Sequence, residues 1–189
     1  MAGVLPELLT GPGDLVLRRW RTQDADLLGR AVTESLEHLR PWMPWVTQEP
    51  TPVADRVRRI EQWEQEWLDG GDVVLGVFVG AEVAGGCGLH RRLGPGGIEI
   101  GYWIHPAFTR RRIATTVVAL LTDAAFTVPD ISYVEIHHDR ANELSGRIPR
   151  RLGYLFVGEA PDEAVAPAEI GISCQWRTTR DEWQPALQR

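Results

Sequence analysis

The sequence predicts an α/β fold in which helices flank a mixed central sheet. Two apolar runs, residues 98–104 and 133–137, have the length of buried strands, and a basic turn and a helical stretch separate them. Apolar residues of that stretch recur at helical spacing on one face, at Ile113, Val117, Leu120, Leu121 and Ala124. Pro129 prevents this helix from continuing. The order strand, turn, helix, strand is typical of α/β proteins.

Hydrophobic spacing and turn residues place the other elements of the chain. In chain order they are a strand over residues 15–20, a helix over 24–39, a helix over 55–68, a hairpin with strands at 73–79 and 82–91, and a closing strand over 169–180. Thr22 or Asp24 lies near the cap of the first helix, and Gly70 with Gly71 ends the second. Residues 39–52 contain four prolines and are expected to form a packed loop.

Length and composition indicate one globular domain over residues 1–189. Hydrophobic residues make up 43% of the chain and charged residues 24%, and no apolar run approaches the ~20 residues that span a bilayer. The amino terminus lacks the basic start and apolar core of a secretory signal, so we expect a cytoplasmic protein that does not enter a membrane. The net charge of −6 argues against nucleic acid as a partner. Cys87 and Cys174 are expected to be core residues, and no metal site is predicted.

A basic turn, residues 105–115, connects the first central strand to the helix. The first N–H groups of a helix have no intrahelical acceptor, and the helix dipole favours an anion beside them. Arg110, Arg111 and Arg112 add three guanidinium groups at this point. Two interpretations are open: a solvated basic loop, or a binding site for a pyrophosphate. The position between a strand and a helix favours the pyrophosphate.

Short motifs are spread over nearly the whole chain. They are residues 17–20 (LRRW), 35–45 (SLEHLRPWMPW), 99–104 (EIGYWI), the basic turn, 142–145 (NELS), 152–154 (LGY) and 180–183 (RDEW). No single motif is specific, but in this order they resemble the GNAT N-acetyltransferases, and more narrowly the branch of the ribosomal-protein N-terminal acetyltransferases RimJ and RimL. The resemblance implies the GNAT acyl-CoA N-acyltransferase fold, acetyl-coenzyme A (acetyl-CoA) as co-substrate and direct transfer without a covalent enzyme intermediate.

The resemblance implies a cofactor site along the central strand, the turn and a later helix. Its expected residues are Trp103, Ile104, Arg110, Arg111, Arg112, Ile113, Ala114, Thr115, Asn142 and Ser145. Asn142 either caps the helix or bonds the pantetheine arm. Similar proteins carry Arg or Gln at the position of Thr109 and Gly at that of Arg112, whereas Ala114 agrees with the family. We expect Arg112 to take an ordinary helical φ and its side chain to reach a phosphate oxygen.

Transfer from a thioester also needs a proton donor for the leaving thiolate and a polarised carbonyl. The resemblance points to Ser145 as the donor. Pro149 supports this assignment, because proline has no N–H for the carbonyl of Ser145 and should open the helix there. Tyr154 is an alternative donor or a core residue. A backbone N–H near Ile104 would polarise the carbonyl.

The attacking amine needs a base. Glu99 is the first candidate, because its apolar neighbours would raise the pKa of the carboxyl toward the useful range. The alternative is that Glu99 pairs with a nearby arginine. His138 is the second candidate; His137 points to the other face of the same strand.

Aromatic residues supply candidates for the acceptor pocket. Trp42 and Trp45 lie in the proline-rich loop, and Tyr102 lies on the central strand; core packing is the alternative for the tryptophans. The predicted function is transfer of an acetyl group to an amine, with a protein α-amino group as the first acceptor considered. The alternatives are a small-molecule amine such as an antibiotic or polyamine, a longer acyl donor, or a CoA-binding module without catalysis. A homodimer and a monomer both remain open.

Overall fold

The computed structural model describes residue 5 and residues 7–184. Its strands are β1 Leu8–Thr10, β2 Leu15–Arg19, β3 Val73–Val79, β4 Glu82–His90, β5 Gly97–Ile104, β6 Tyr133–Asp139, β7 Leu155–Pro161 and β8 Ile172–Thr179. The helices are α1 Ala25–Leu39, α2 Val53–Leu68, α3 Ile113–Thr127 and α4 Glu143–Leu152. Three short 3-10 helices cover Thr22–Asp24, Pro44–Gln48 and Pro106–Phe108.

The strands form one mixed sheet in the order β1-β2-β3-β4-β5-β6-β8-β7. All neighbouring pairs are antiparallel except β5 and β6, which are parallel. The register between β5 and β6 pairs Gly97 with Tyr133, Ile98 with Val134 and Glu99 with Glu135, and it ends there although both strands continue. The carboxyl halves of the two central strands are therefore unpaired on the sides that face each other, which leaves a gap in the middle of the sheet.

Helices cover both faces of the sheet and form two hydrophobic cores. The larger core lies between the sheet and α3, where Val117, Val118 and Leu121 are fully buried. The smaller core joins α1 and α2 to the opposite face through residues such as Leu28, Ile60 and Phe78. The gap between β5 and β6 is thus flanked by a helix that begins with the basic turn on one side and by the α1 and α2 layer on the other.

The predicted order of strands and helices is confirmed. Helix α3 ends two residues before Pro129, Gly70 has a φ of +75° just after α2, and the strands of the β3–β4 hairpin pair around Gly80. Sequence reasoning did not predict β1 or β7, both edge strands of the sheet. The proline-rich loop is interrupted by the 3-10 helix Pro44–Gln48.

The carboxyl-terminal motif has a structural role. Arg180 donates hydrogen bonds to three carbonyls just beyond or at the end of α3: Phe126, Val128 at 2.8 Å and Ile131 at 2.6 Å. The indole Nε1 of Trp183 donates to Asp123 at 2.6 Å. Arg180 thus supplies a donor to Phe126 O in the last turn of α3, which the helix itself leaves without a partner, and to two carbonyls of the loop after it. Together with the Trp183 contact, these bonds tie the end of the described chain to α3.

Candidate active site

A cavity of about 920 Å³ opens at the gap between β5 and β6 and extends under α1 and α2. Its floor is formed by β4 and β5, where Gly88 and Gly101 are register partners. On one side it is bordered by β6 and the start of α4, and on the other by the proline-rich loop and α2. A cavity of this size can hold a small ligand together with a few residues of a second one.

The basic turn presents a row of free backbone donors. Within the described part of the chain, no N–H of residues 110–115 donates a hydrogen bond, whereas Thr109 N bonds to Pro106 O and Thr116 N bonds to Arg112 O. The row includes the first three helical residues, Ile113, Ala114 and Thr115. Six adjacent N–H groups at a helix start can bind a phosphate or pyrophosphate.

The backbone of Arg112 corrects the sequence prediction. Arg112 is the N-cap of α3 with a φ of +61° and a ψ of +9°, so it is left-handed rather than helical, and Arg110 also has a φ of +61°. The turn keeps the conformation that glycine favours although both residues carry a β-carbon. All three arginines are exposed, and the Arg111 guanidinium lies 5.1 Å from the centre of the Phe108 ring.

Ser145 and Tyr102 form a hydroxyl pair that lines the cavity. The two side-chain oxygens are 3.1 Å apart, and the Tyr102 hydroxyl is also 3.4 Å from the Ser145 carbonyl oxygen. That carbonyl is the one that Pro149 leaves without an N–H donor, although α4 continues through Pro149. Burial raises the pKa of Tyr102 to about 12, so its hydroxyl remains protonated at neutral pH.

The other residues predicted near Ser145 have different positions. Asn142 is the N-cap of α4 and its side chain accepts a hydrogen bond from Ser145 N at 3.2 Å, as the capping interpretation expects. Tyr154 is only 4% exposed, and its hydroxyl bonds to Thr122 Oγ1 at 2.6 Å. Burial raises its pKa well above the ordinary value. Because Tyr154 is not among the described residues that line the cavity, it is not positioned to donate a proton there.

Glu99 is held by an arginine, which is the alternative that the sequence left open. The Arg92 guanidinium binds its carboxylate through Nε at 2.7 Å and Nη2 at 2.5 Å. Glu99 holds the pKa of Arg92 above the ordinary value. His137 links Glu99, at 3.7 Å from Nδ1, to Glu135, at 2.5 Å from Nε2. The Glu99 carboxylate oxygens are therefore already engaged by Arg92 and His137, so they are not free for an acceptor amine.

His138 lines the cavity, but both of its ring nitrogens have partners. Nδ1 lies 2.8 Å from the Asp139 carbonyl, and Nε2 accepts a hydrogen bond from Trp176 Nε1 at 3.1 Å. The indole N–H fixes Nε2 as the unprotonated nitrogen, and its lone pair is occupied. This arrangement leaves His138 no free nitrogen for an acceptor amine.

Sequence reasoning missed a third histidine at the cavity, which His137 and His138 also line although alternation on β6 predicted that only one of them would. His90, at the end of β4, lines the cavity, and its Nδ1 lies 2.7 Å from Asp72 Oδ2. Asp72 immediately precedes β3, and the hairpin register pairs Val73 with Leu89. The predicted hairpin contained the signal, because a residue just before one strand lies beside the end of the other.

Tryptophans form the wall opposite the hydroxyl pair. Trp42, Trp45 and Trp63 line the cavity, and the ring centroids of Trp45 and Trp103 are 6.3 Å apart. Trp103 therefore faces the α1 and α2 side. Next to this wall a buried ion pair joins Arg56 Nη2 to Glu49 Oε2 at 2.9 Å. Although burial opposes it, the hydrogen bond from Arg56 holds the pKa of Glu49 below the ordinary value.

The fold and this site define an acetyltransferase. Residues 14–155 match the Acetyltransferase (GNAT) domain family, and the chain belongs to that family. The chain is 26% identical over 154 residues to the "Putative ribosomal N-acetyltransferase YdaF" of Bacillus subtilis (strain 168), covering 78% of this chain and 81% of that protein.

Two solved structures share the fold. The RimL ribosomal L7/L12 α-N-protein acetyltransferase in complex with coenzyme A has a TM-score of 0.84 and 17% identity, over 93% of this chain and 99% of that one. Mycobacterium smegmatis RimJ in complex with a CoA disulfide has a TM-score of 0.83 and 21% identity, over 96% of this chain and 90% of that one. The expected GNAT fold is confirmed. Among the described residues, no helix is both long and apolar enough to cross a membrane.

Proposed function

We propose that this acetyltransferase transfers the acetyl group of acetyl-CoA directly to the α-amino group at the amino terminus of a protein. One observation carries the proposal: β5 leads into a turn with a row of free N–H donors, and its unpaired half borders a cavity that the hydroxyl pair and the tryptophans line. In the proposal, the gap between β5 and β6 is the route from the anion site to the acceptor site. The names of YdaF and RimL, which refer to ribosomal-protein N-acetylation, support a protein acceptor.

In this proposal the turn binds the pyrophosphate of acetyl-CoA. The N–H groups of residues 110–115 and the arginine side chains supply the donors. Beyond Glu99, β5 has no partner strand on its β6 side, so its backbone up to Ile104 is available to the pantetheine arm and the thioester carbonyl. The coenzyme supplies the activated acetyl group.

Ser145 is positioned to protonate the leaving thiolate. Its hydroxyl lines the cavity beside the gap, and the Tyr102 hydroxyl can replace the proton that it gives up. A serine that donates one hydrogen bond while it accepts another forms a short relay. Tyr102, predicted as a substrate-binding residue, thereby acts on the cofactor side of the site.

The acceptor would enter the tryptophan-lined chamber. Its walls are aromatic at Trp42, Trp45 and Trp63, and they can pack against the first side chain of a peptide. The whole cavity, about 920 Å³ with the part beside the hydroxyl pair included, has more space than a small amine needs, which favours the end of a polypeptide.

Thiol release with a peptide panel tests the proposal. We expect acetyl-CoA turnover with peptides that have a free α-amine, and none with the same peptides blocked at the amino terminus but containing an internal lysine. Mass spectrometry should locate one acetyl group on the first residue. Acetyl-CoA at about 100 times its Kd should stabilise the fold by about 2.7 kcal/mol.

Other outcomes separate the alternatives. Turnover restricted to small amines would replace the protein acceptor with a small-molecule one, and faster turnover with a longer acyl-CoA would replace the donor. A thermal shift without thiol release for any amine would indicate a CoA-binding module. The absence of both signals would overturn the proposal.

Replacing Arg112 with glycine should change stability and cofactor affinity in opposite directions. The left-handed φ of Arg112 is strained for a residue with a β-carbon, so Arg112→Gly should raise the free energy of unfolding by about 1 kcal/mol. Loss of a guanidinium beside the pyrophosphate should weaken acetyl-CoA binding by about 1.5–3 kcal/mol. Urea denaturation and calorimetric titration measure the two quantities.

Arg111→Gly is the matched control, because Arg111 is not among the residues with a positive φ. This control should lose stability, since glycine gains conformational freedom in the unfolded chain. Tighter acetyl-CoA binding by Arg112→Gly would show that the β-carbon of Arg112 crowds the phosphate.

A further inference from the structure

We propose that His90 is the proton acceptor for the amine and that Asp72 is its positioning residue. This inference rests on the proposed acetyl transfer and adds the group that prepares the acceptor. The observation behind it is a carboxylate–imidazole pair at the cavity whose outer nitrogen, Nε2, has no hydrogen-bond partner among the described residues.

The position of His90 is fixed by its neighbours. Asp72 Oδ2 lies 2.7 Å from Nδ1, and Asp72 Oδ1 accepts a hydrogen bond from Arg91 N at 2.8 Å. An Nδ1–H that donates to a carboxylate leaves the lone pair on Nε2. Nε2 lies over the cavity floor: a β-carbon on Gly88 would be 2.8 Å from it, and one on Gly101 would be 3.2 Å away.

His90 differs from the other histidines at the site. Its Nε2 has no hydrogen-bond partner among the described residues, whereas both nitrogens of His138 are occupied and His137 lies between two carboxylates. His105 is similarly engaged, by Ala107 N at Nδ1 and by Glu34 at Nε2. Glu99 is bound by Arg92. Among these histidines and Glu99, only His90 therefore has a ring nitrogen or oxygen whose lone pair is available to an amine.

Two glycines in the cavity floor make room for the His90 ring, which lies directly against them. Gly88 and Gly101 are register partners on β4 and β5 and present no side chain to the cavity. Tyr102, which follows Gly101, points to the other side of the sheet and reaches Ser145. The base and the proton donor thus lie on opposite sides of β5, as expected if the amine attacks from one side and the thiolate leaves on the other.

Protons balance in the resulting reaction. The ammonium of the acceptor gives one proton to His90 Nε2. The lone pair that this leaves on the acceptor nitrogen then forms the C–N bond to the thioester carbonyl carbon. The C–S bond breaks, and the thiolate takes a proton from Ser145 Oγ. Solvent carries the second proton of the nitrogen to the hydroxyl pair, and His90 returns its proton to solvent.

Charged groups around His90 set its electrostatic environment. Asp72 precedes β3, Arg91 and Arg92 follow β4, and Glu99 is the register partner of His90 on β5. From across the cavity, Asp55, Arg56 and Arg59 of α2 and His137 of β6 also line the space. The residues of α1 at the cavity, Leu28 and Val32, are uncharged.

The kinetic test compares His90→Gln with the parent at two pH values, using a free-amine peptide. At pH 7 we expect kcat/KM to fall about 10²-fold. Above pH 9 the difference in kcat/KM between His90→Gln and the parent should shrink about tenfold, because most α-amino groups are then already neutral. His38→Gln is the control, since His38 is exposed on α1, and it should match the parent at both pH values. A purely structural role for His90 would lower activity equally at both.

A spectroscopic test does not depend on turnover. Two-bond ¹H–¹⁵N spectra of the imidazoles should show the neutral Nδ1–H tautomer for His90, and Asp72→Asn should abolish that preference and reduce kcat/KM at pH 7.

Should His90→Gln fail to fold, Asp72→Asn carries the test. If the parent acetylates peptides and His90→Gln does so equally well at both pH values, the assignment of His90 is overturned while the proposed function stands. If the parent acetylates no amine, the proposed function itself fails, and an Nε2–H tautomer would overturn the geometry of the dyad.

Discussion

Ser145→Ala should lower kcat by about 10²- to 10³-fold while the Kd for acetyl-CoA stays nearly unchanged. In the proposed mechanism the hydroxyl acts when the thiolate departs, so its loss should affect the transition state more than the bound ground state. Calorimetric titration of acetyl-CoA and thiol-release kinetics on the same preparation separate the two effects. Ser132→Ala is a matched control, because the Ser132 hydroxyl is exposed and bonds to Gly96 O outside the cavity.

Tyr102→Phe decides which member of the hydroxyl pair gives up the proton. If Ser145 is the donor and Tyr102 supplies it, the tyrosine variant should lose about tenfold in kcat, less than Ser145→Ala. A larger loss of kcat in Tyr102→Phe than in Ser145→Ala would indicate that Tyr102 is the proton donor. Full activity in both variants would remove the pair from the mechanism and leave protonation to solvent.

Arg180→Met should reduce the free energy of unfolding by about 3 kcal/mol or more. The guanidinium satisfies the carbonyls of Phe126, Val128 and Ile131, and each charge-assisted bond contributes about 1.5–3 kcal/mol. Methionine keeps the apolar stem but removes the guanidinium donors of the Phe126 and Ile131 carbonyls, whereas the Val128 carbonyl still accepts from Ile131 N at 3.1 Å. Urea denaturation measures the loss.

A control and a conservative variant sharpen this prediction. Arg30→Met, on the exposed face of α1, should change stability by no more than about 0.5 kcal/mol. The free energy of unfolding of Arg180→Lys should lie between those of the parent and Arg180→Met, because a single ammonium cannot reach three carbonyls as a planar guanidinium does. An Arg180→Met variant as stable as the parent would show that water replaces the guanidinium at no cost.

The sequence by itself determined most elements of this protein, though not the edge strands β1 and β7, and the row of free N–H donors at the start of α3. Helical spacing, the strand runs and the cap at Asn142 depend on residues within a few positions of one another, so a local pattern specifies them. The free donors at the start of α3 follow from the geometry of any helix that begins after a turn. Ser145 was singled out by the family resemblance of the short motif that it shares with Asn142.

Only the tertiary structure decided which side chains are free to act. Glu99 and Arg92 are separated by the turn between β4 and β5, and nothing in the spacing shows that this arginine folds back onto the carboxylate. Tyr154 faces Thr122 on α3 rather than the cavity, because its orientation depends on how the end of α4 packs.

The backbone of the turn and the histidine pair show the same dependence on packing. Propensity predicts a helical φ for Arg112, but the connection from β5 to α3 requires a left-handed residue there. His90 gains its partner because the register of β3 with β4 brings Asp72 beside it. Contacts between residues distant in sequence are set by sheet register and helix packing, and these depend on the whole fold rather than on any local pattern.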